Sequence, residues 1–410
     1  MQKEKIKKIA YISLIIIAFF ITTSGGFFFS SKNVEAKSSV TKWQLLLQNN
    51  GVDPALWQKY LPSINRKEYN AVKDTLKKMG NNTTPTTATT PATTPAPTTS
   101  TNQTGSLGPE ISVGIRYNSK SDTFKIDANK TYNIRKDDGG DVIAQIAGGS
   151  TTKVDYDGNG NLKVSGSIAS TSVSDHVWFD AADGDNSTII FNTHGSDSYD
   201  HYRGKIEVHC YQGKDIYNNT SKNVTQIWII NKLPLEQYVW GMGETTGTGD
   251  TDHVRVMTTV FRTYGDWYIE NATKYGGKSG NSLLGFKIRS DSANQIYGGY
   301  DWEKDHSHIK DAANDTRGKI VTYKGDVALT PYCSYTDGKT RDYPDQKGYP
   351  YLKSVKDNQL GIKKGLNPGD GGNHMWGLSA HGALGFAQDG KSWDWILKYY
   401  YTKVDISSAY

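Results

Sequence analysis

The sequence predicts a mixed α+β protein, on three observations. From residue 106 to 232, apolar and polar residues alternate in short runs broken by Gly and Asn, the period of half-buried strands. From residue 233 onward the spacing lengthens to three and four, as at Met257, Val260, Phe261, Tyr264 and Tyr268, the period of helices. The whole chain is polar, rich in Gly, Tyr, Thr and Asn, with ten Trp, a globular composition rather than a membrane-embedded or wholly disordered one.

The elements follow in chain order. Lys3, Lys5, Lys7 and Lys8 precede the apolar run Ile9 to Ile21, and Val34-Glu-Ala36 offers the small residues that a signal peptidase reads. Residues 1–36 therefore read as a signal peptide. With Phe27, Phe28 and Phe29 the apolar stretch reaches about 20 residues, enough for an uncleaved anchor in contact with the membrane. Either reading puts the rest of the chain outside the cytoplasmic membrane, secreted or anchored at its outer face. Residues 38–80 carry apolar residues at helical intervals, from Trp43 to Met79, and predict a small helical segment. Residues 81–105 are almost all Thr, Pro, Ala, Asn and Ser, a tract that buries no core and acts as a spacer.

Residues 106–232 form the β-rich part, with strands at Ile111–Tyr117, Thr123–Asp127, Lys205–His209 and Gln226–Ile230. Asp155-Tyr-Asp-Gly-Asn-Gly160 matches the start of an EF-hand loop. However, Gly166 stands where the bidentate Glu belongs, and a hairpin turn accounts for the same residues. Residues 233–405 hold a helix-like Leu235–Trp240, a helix over Thr251–Ala272 and another over Trp393–Tyr401 with Ser392 as N-cap. Tyr399, Tyr400 and Tyr401 read as packing.

A net charge of +5 gives no concentrated basic face, so no nucleic-acid partner is expected. Cys210 and Cys333 either pair, as an exported protein allows, or are buried thiols.

Several short segments stand out in a fixed order: Leu233-Pro-Leu-Glu-Gln-Tyr-Val-Trp-Gly-Met-Gly-Glu244, Phe261-Arg-Thr-Tyr264, Gln295-Ile-Tyr-Gly-Gly-Tyr300, Thr316-Arg-Gly318 and His374-Met-Trp-Gly-Leu-Ser-Ala-His-Gly-Ala383. Glu244 sits in a Gly-rich turn beside Trp240 and Met242. Partial desolvation there raises a carboxyl pKa and keeps a proton available for donation. Together the segments resemble the SpoIID/LytB domain family, which acts on bacterial peptidoglycan.

The resemblance implies a lytic transglycosylase, in which one Glu protonates the bridging oxygen and the sugar's own C6 hydroxyl closes to a 1,6-anhydro product. Glu244 would be that acid, although the commoner family pattern places the Glu two residues later. Glu236 is the fallback. The resemblance gives the substrate-binding role to Arg262, Tyr264, Ser334, Thr340, His374 and Ser379. Arg262 equally suits an ion pair holding Glu244, and His374 either binds glycan or orients Glu244. Asp337 replaces a Gly of the family's loop, and Ala380 stands where the family has Gln.

Some family members bind zinc. His306, His308 and Cys333 are capable ligands, but no spacing signature supports them, so no cofactor or metal is expected. The partners implied are peptidoglycan glycan strands and, for the LytB branch, a wall amidase whose activity is modified. In that non-catalytic alternative Trp240, Trp302 and Trp376 would stack on sugars. A structural surface protein with a degenerate domain is the remaining alternative.

Overall fold

The computed structural model describes residues 106–195, 199–216, 218, 220–272 and 284–410. The expected signal or anchor, helical segment and spacer lie outside the described residues. What is described is α+β.

A seven-stranded sheet runs in the order Ile288–Arg289, Glu110–Asn118, Asn223–Pro234, Lys205–Lys214, His176–Ala181, Tyr132–Arg135, Val142–Ile146. Its centre is the antiparallel ladder between Lys205–Lys214 and Asn223–Pro234, paired from Lys205 with Lys232 to Lys214 with Asn223. All four expected strands are present, and the two long ones extend further than the sequence indicated. A six-stranded sheet with His201–Arg203 and Thr171–Val173 at its edges packs its apolar side chains into the same core. The hairpin expected at Asp155–Gly160 joins Thr152–Gly158 to Asn161–Gly166 in antiparallel register. Asn159 and Gly160 sit at φ 50° and 86°, so the turn reading accounts for this Asp-rich stretch.

The C-terminal half packs around one helix. Leu235–Trp240 is α1 and Thr251–Asn271 is α2. Asp250 caps α2 by accepting from the Asp252 N–H at 2.9 Å, satisfying one of the orphan donors of a helix start. Around α2 lie α1, α4 (Ser307–Asp315), α5 (Ala380–Gln388), α6 (Trp393–Tyr400) and a three-stranded sheet centred on Lys319–Tyr323; α3 (Gly299–Asp305) lies beside α1 and α4. This enclosure buries both Met257 and Arg262, which stand on different faces of α2. Ser392 occupies the N-cap position of α6, but its hydroxyl bonds the Asp394 carboxylate and not a backbone N–H. Tyr400 and Tyr401 are buried, as expected of packing residues, and their hydroxyls donate to Asp357 and to the Pro331 carbonyl. Cys210 and Cys333 are buried free thiols, and burial pushes them up to about 11 and about 12.

Asp266 on α2 is buried, and burial with the nearby Glu270 charge raises its carboxyl to about 6. The folded state therefore holds this proton more tightly than the unfolded chain, and stability falls as pH rises from about 4 to 6. Asp266→Asn should stabilise the fold by roughly 2–3 kcal/mol at pH 8, with the gain vanishing below about pH 4. Denaturant unfolding at both pH values checks this; an equal effect at both would contradict it.

Candidate active site

Glu244 sits in a turn that two separated segments build together. The Met242–Tyr297 bridge pairs Gly241–Glu244 with Gln295–Gly298. The Gly243 N–H donates to the Ile296 carbonyl at 2.7 Å, and the Gly298 N–H to the Gly241 carbonyl at 2.8 Å. This close approach explains the glycines: a Cβ on Gly241 would lie 2.6 Å from the Gly299 carbonyl oxygen.

The ribbon aims the Ile296 N–H at Glu244 Oε1, 2.7 Å away. The Tyr332 hydroxyl lies beside the carboxylate and works against the rise in its pKa. Gln295 Nε2 donates to the Tyr332 oxygen at 3.4 Å, and its Oε1 accepts from the Tyr238 hydroxyl at 2.9 Å. Because the Gln295 amide already donates to Tyr332, the phenolic proton of Tyr332 is left for Glu244. Glu244 is half-buried. Burial raises its carboxyl above the ordinary value, and the Ile296 N–H and Tyr332 hydroxyl partly oppose that rise. The result is a carboxyl held in place and biased toward its protonated form.

His374 joins the same assembly through Tyr332. Its Nδ1 accepts the Trp376 N–H at 2.9 Å, and its ring lies near the Tyr332 backbone carbonyl. Burial lowers its pKa, so it stands as a neutral imidazole. Tyr264 packs edge-on to Tyr332 with ring centres 6.4 Å apart.

Other expected site residues are placed elsewhere. Arg262 is wholly buried and forks onto Glu236 with two 2.9 Å bonds. Its remaining donors go to the Ala313 and Lys319 carbonyls and Thr316. Glu236 also accepts from the Gly318 N–H and the Tyr410 hydroxyl, both at 2.8 Å. Arg262 thus holds Glu236, not Glu244, and presents no surface to a glycan. The Thr316-Arg-Gly318 segment belongs to this ion pair. Thr340 is buried, and its hydroxyl accepts the Val355 N–H at 2.8 Å. Ser379 is buried as the N-cap of α5, accepting from the Gly382 N–H at 3.1 Å. Ser334 is exposed, and its carbonyl accepts from His381.

The glycines near His374 are packing residues. A Cβ on Gly377 (φ +68°) would meet the Pro331 carbonyl at 2.0 Å, and one on Gly382 would meet Asp357 at 1.8 Å. Trp240 and Trp302 are each only 6% exposed, so stacking on sugars is not open to them. Trp302 instead donates to the Thr245 carbonyl at 3.1 Å and ties down the loop after Glu244.

The His306, His308 and Cys333 set is not assembled. His306 stacks on Trp302 at 3.9 Å, and the Cys333 thiol bonds the Tyr335 carbonyl at 3.4 Å. Among the described residues, the group near enough to share an ion is Asp200, His201 and Asp301. There His201 Nδ1 already lies 2.9 and 3.0 Å from the two carboxylates, so the group reads as a polar knot joining His201–Arg203 to α3.

Reading the sequence singled out Glu244 and His374 but missed Gln295, Tyr332 and Tyr238. Gln295 belongs to the Gln295–Tyr300 segment, and Tyr332 directly precedes the Cys333-Ser334 loop. No sequence signal says that their side chains meet.

Comparison with known proteins matches residues 223–323 to SpoIID, stage II sporulation protein. The chain is also 33% identical over 82 residues to the amidase enhancer of Bacillus subtilis (strain 168), a match covering 19% of this chain and 11% of that protein. The chain thus spans about a tenth of that relative's length. The matched stretch includes α1, α2, Glu244 and the Gln295–Tyr300 ribbon, and with them residues 223–323 are those of a SpoIID/LytB family domain.

Proposed function

We propose that this chain acts on the bacterial cell wall as a lytic transglycosylase with Glu244 as its single acid and base. The observation that carries the reading is the half-buried Glu244 carboxyl, raised by burial, fixed by the Ile296 N–H and set beside the Tyr332 hydroxyl. Protonated Glu244 donates to the bridging glycosidic oxygen, and the leaving sugar departs. The resulting carboxylate then takes the proton of the C6 hydroxyl as that oxygen closes on the anomeric carbon. The acid is regenerated, and neither a second carboxylate nor water is consumed. Tyr332 positions the carboxylate and, through its peptide, His374. The N-terminal apolar segment supports export to the wall.

Cleavage in heavy-oxygen water tests the chemistry. Glycan ends released by the full chain should carry no label; label at the new ends would make the enzyme a hydrolase. Tyr332→Phe removes a donor to the carboxylate. The basic limb of the pH–rate profile should then move to higher pH, with kcat below that limb falling no more than about ten-fold. An unmoved limb would leave Tyr332 a packing residue only.

A second reading is a wall-binding modulator of an amidase, favoured by the similarity to an amidase enhancer. Binding to peptidoglycan with no release by the wild type would favour it.

A further inference from the structure

The surface built by α5, α6 and the turn Gln359–Gly361 carries exposed apolar side chains among lysines that have no carboxylate partner. Trp395 on α6 is 39% exposed, and Leu360, on the turn packed against α5, is 48% exposed. Phe386 and Tyr399 belong to the edge of the core and support Trp395, Tyr399 stacked on it at 5.1 Å and Phe386 edge-on at 5.5 Å. Large apolar side chains left in water on one surface mark a contact site.

The lysines are placed by the same elements. Lys391 holds its Nζ 5.1 Å from the centre of the Trp395 ring, a cation–π contact. Lys398 lies on α6 one turn after Trp395. Lys356 lends its backbone carbonyl to the Tyr399 hydroxyl at 2.7 Å. Lys363 stands 5.6 Å over the Tyr335 ring, and Tyr335 bonds His381 on the first turn of α5. All four lysines are exposed, and none forms an ion pair among the described residues. The neighbouring carboxylates are engaged: Asp389 by the Asn358 amide at 2.8 Å, Asp394 by the Ser392 hydroxyl at 2.6 Å, and buried Asp357 by Thr336 and Tyr400. No Glu follows Glu303 in the chain. The result is a local positive field around an aromatic ring.

We propose that this surface docks an anionic wall polymer, a chain of phosphodiester-linked polyol units. A Lys ammonium is a compact point charge that pairs with phosphate without demanding a fixed fork. Lysines spread over one surface match a polymer whose charges recur along its length, and the C–H groups between phosphates suit the Trp395 ring. A lipid surface calls for a broad apolar face, and the large apolar residues exposed here are Trp395 and Leu360. The inference needs the cell-wall setting but not cleavage at Glu244. It gives the protein a hold on the wall that does not depend on the glycan.

The test titrates the full chain with poly(glycerol phosphate) at low ionic strength, followed by calorimetry. Lys391→Gln combined with Lys398→Gln should weaken binding by about ten-fold or more, and added salt should weaken the wild type steeply. Trp395→Ala should weaken it about three-fold. The control is the same loss of charge at Lys125 and Lys153, exposed register partners on the six-stranded sheet. Lys125→Gln with Lys153→Gln should leave affinity within about two-fold, because screening confines the effect of a charge to its surroundings. Melting curves establish that each variant is folded, and Trp395→Ala decides the matter if the Lys391 and Lys398 pair does not fold. Equal losses in the two lysine pairs would reduce the effect to net charge and overturn the proposal, as would unchanged affinity in the α6 variants. Phosphatidylglycerol vesicles form the second arm. Losses in the α6 variants seen with vesicles but not with the polymer would assign the surface to a membrane instead.

Discussion

Glu244→Gln should lower product release by roughly 10²–10⁴-fold, the usual contribution of a positioned general acid, while leaving the fold intact. Gln keeps an oxygen to accept the Ile296 N–H and the Tyr332 hydroxyl, so the turn has no reason to open. It carries no ionisable proton, so nothing remains to protonate the bridging oxygen. In the wild type the direction with pH follows from the raised carboxyl. The acid must be protonated, so activity declines as pH rises through its pKa, and burial places that decline at higher pH than an ordinary Glu would. Rates against pH for the wild type, with melting curves for both proteins, check both parts. A Glu244→Gln variant that melts normally and still releases product would move the chemistry to another group.

Arg262→Ala should show the opposite signature, a loss of about 3–5 kcal/mol of stability. Arg262 and Glu236 are both at 0% exposure, and each is fully hydrogen-bonded by the other and by surrounding backbone. Removing the guanidinium strands a buried carboxylate, the costly half of a broken ion pair. Adding Glu236→Gln to Arg262→Ala should restore part of the loss, because the uncompensated charge is gone. Urea unfolding of the single and double variants measures this. Stability within about 1 kcal/mol of wild type, together with lost glycan binding, would return Arg262 to the substrate side.

These two residues show what could be read from the sequence and what could not. The change of period near residue 233 separated strands from helices because the two bury side chains at different intervals. The Asp155–Gly160 turn was legible because turn residues act locally, and the long α2 because its apolar stripe recurs at helical intervals. Glu244 stood out through the resemblance of its segment to the family's, since a lone carboxylate in a Gly-rich turn would otherwise read as a surface side chain. Arg262 was misplaced because its partner is 26 residues away, and helix periodicity cannot say which of two carboxylates it meets. Ser379 and Thr340 were read as ligands for a similar reason: a hydroxyl that caps a helix or bonds a loop backbone looks the same in sequence as one that binds sugar. Gln295, Tyr332 and Tyr238 went unread because their shared hydrogen bonds exist only in the folded chain.

The most direct measurement is mass spectrometry of the fragments released from purified peptidoglycan by the full chain and by Glu244→Gln, on sacculi with and without stem peptides. The account predicts 1,6-anhydro ends from the wild type and none from the variant. Reducing ends, or equal release by both proteins, would contradict it.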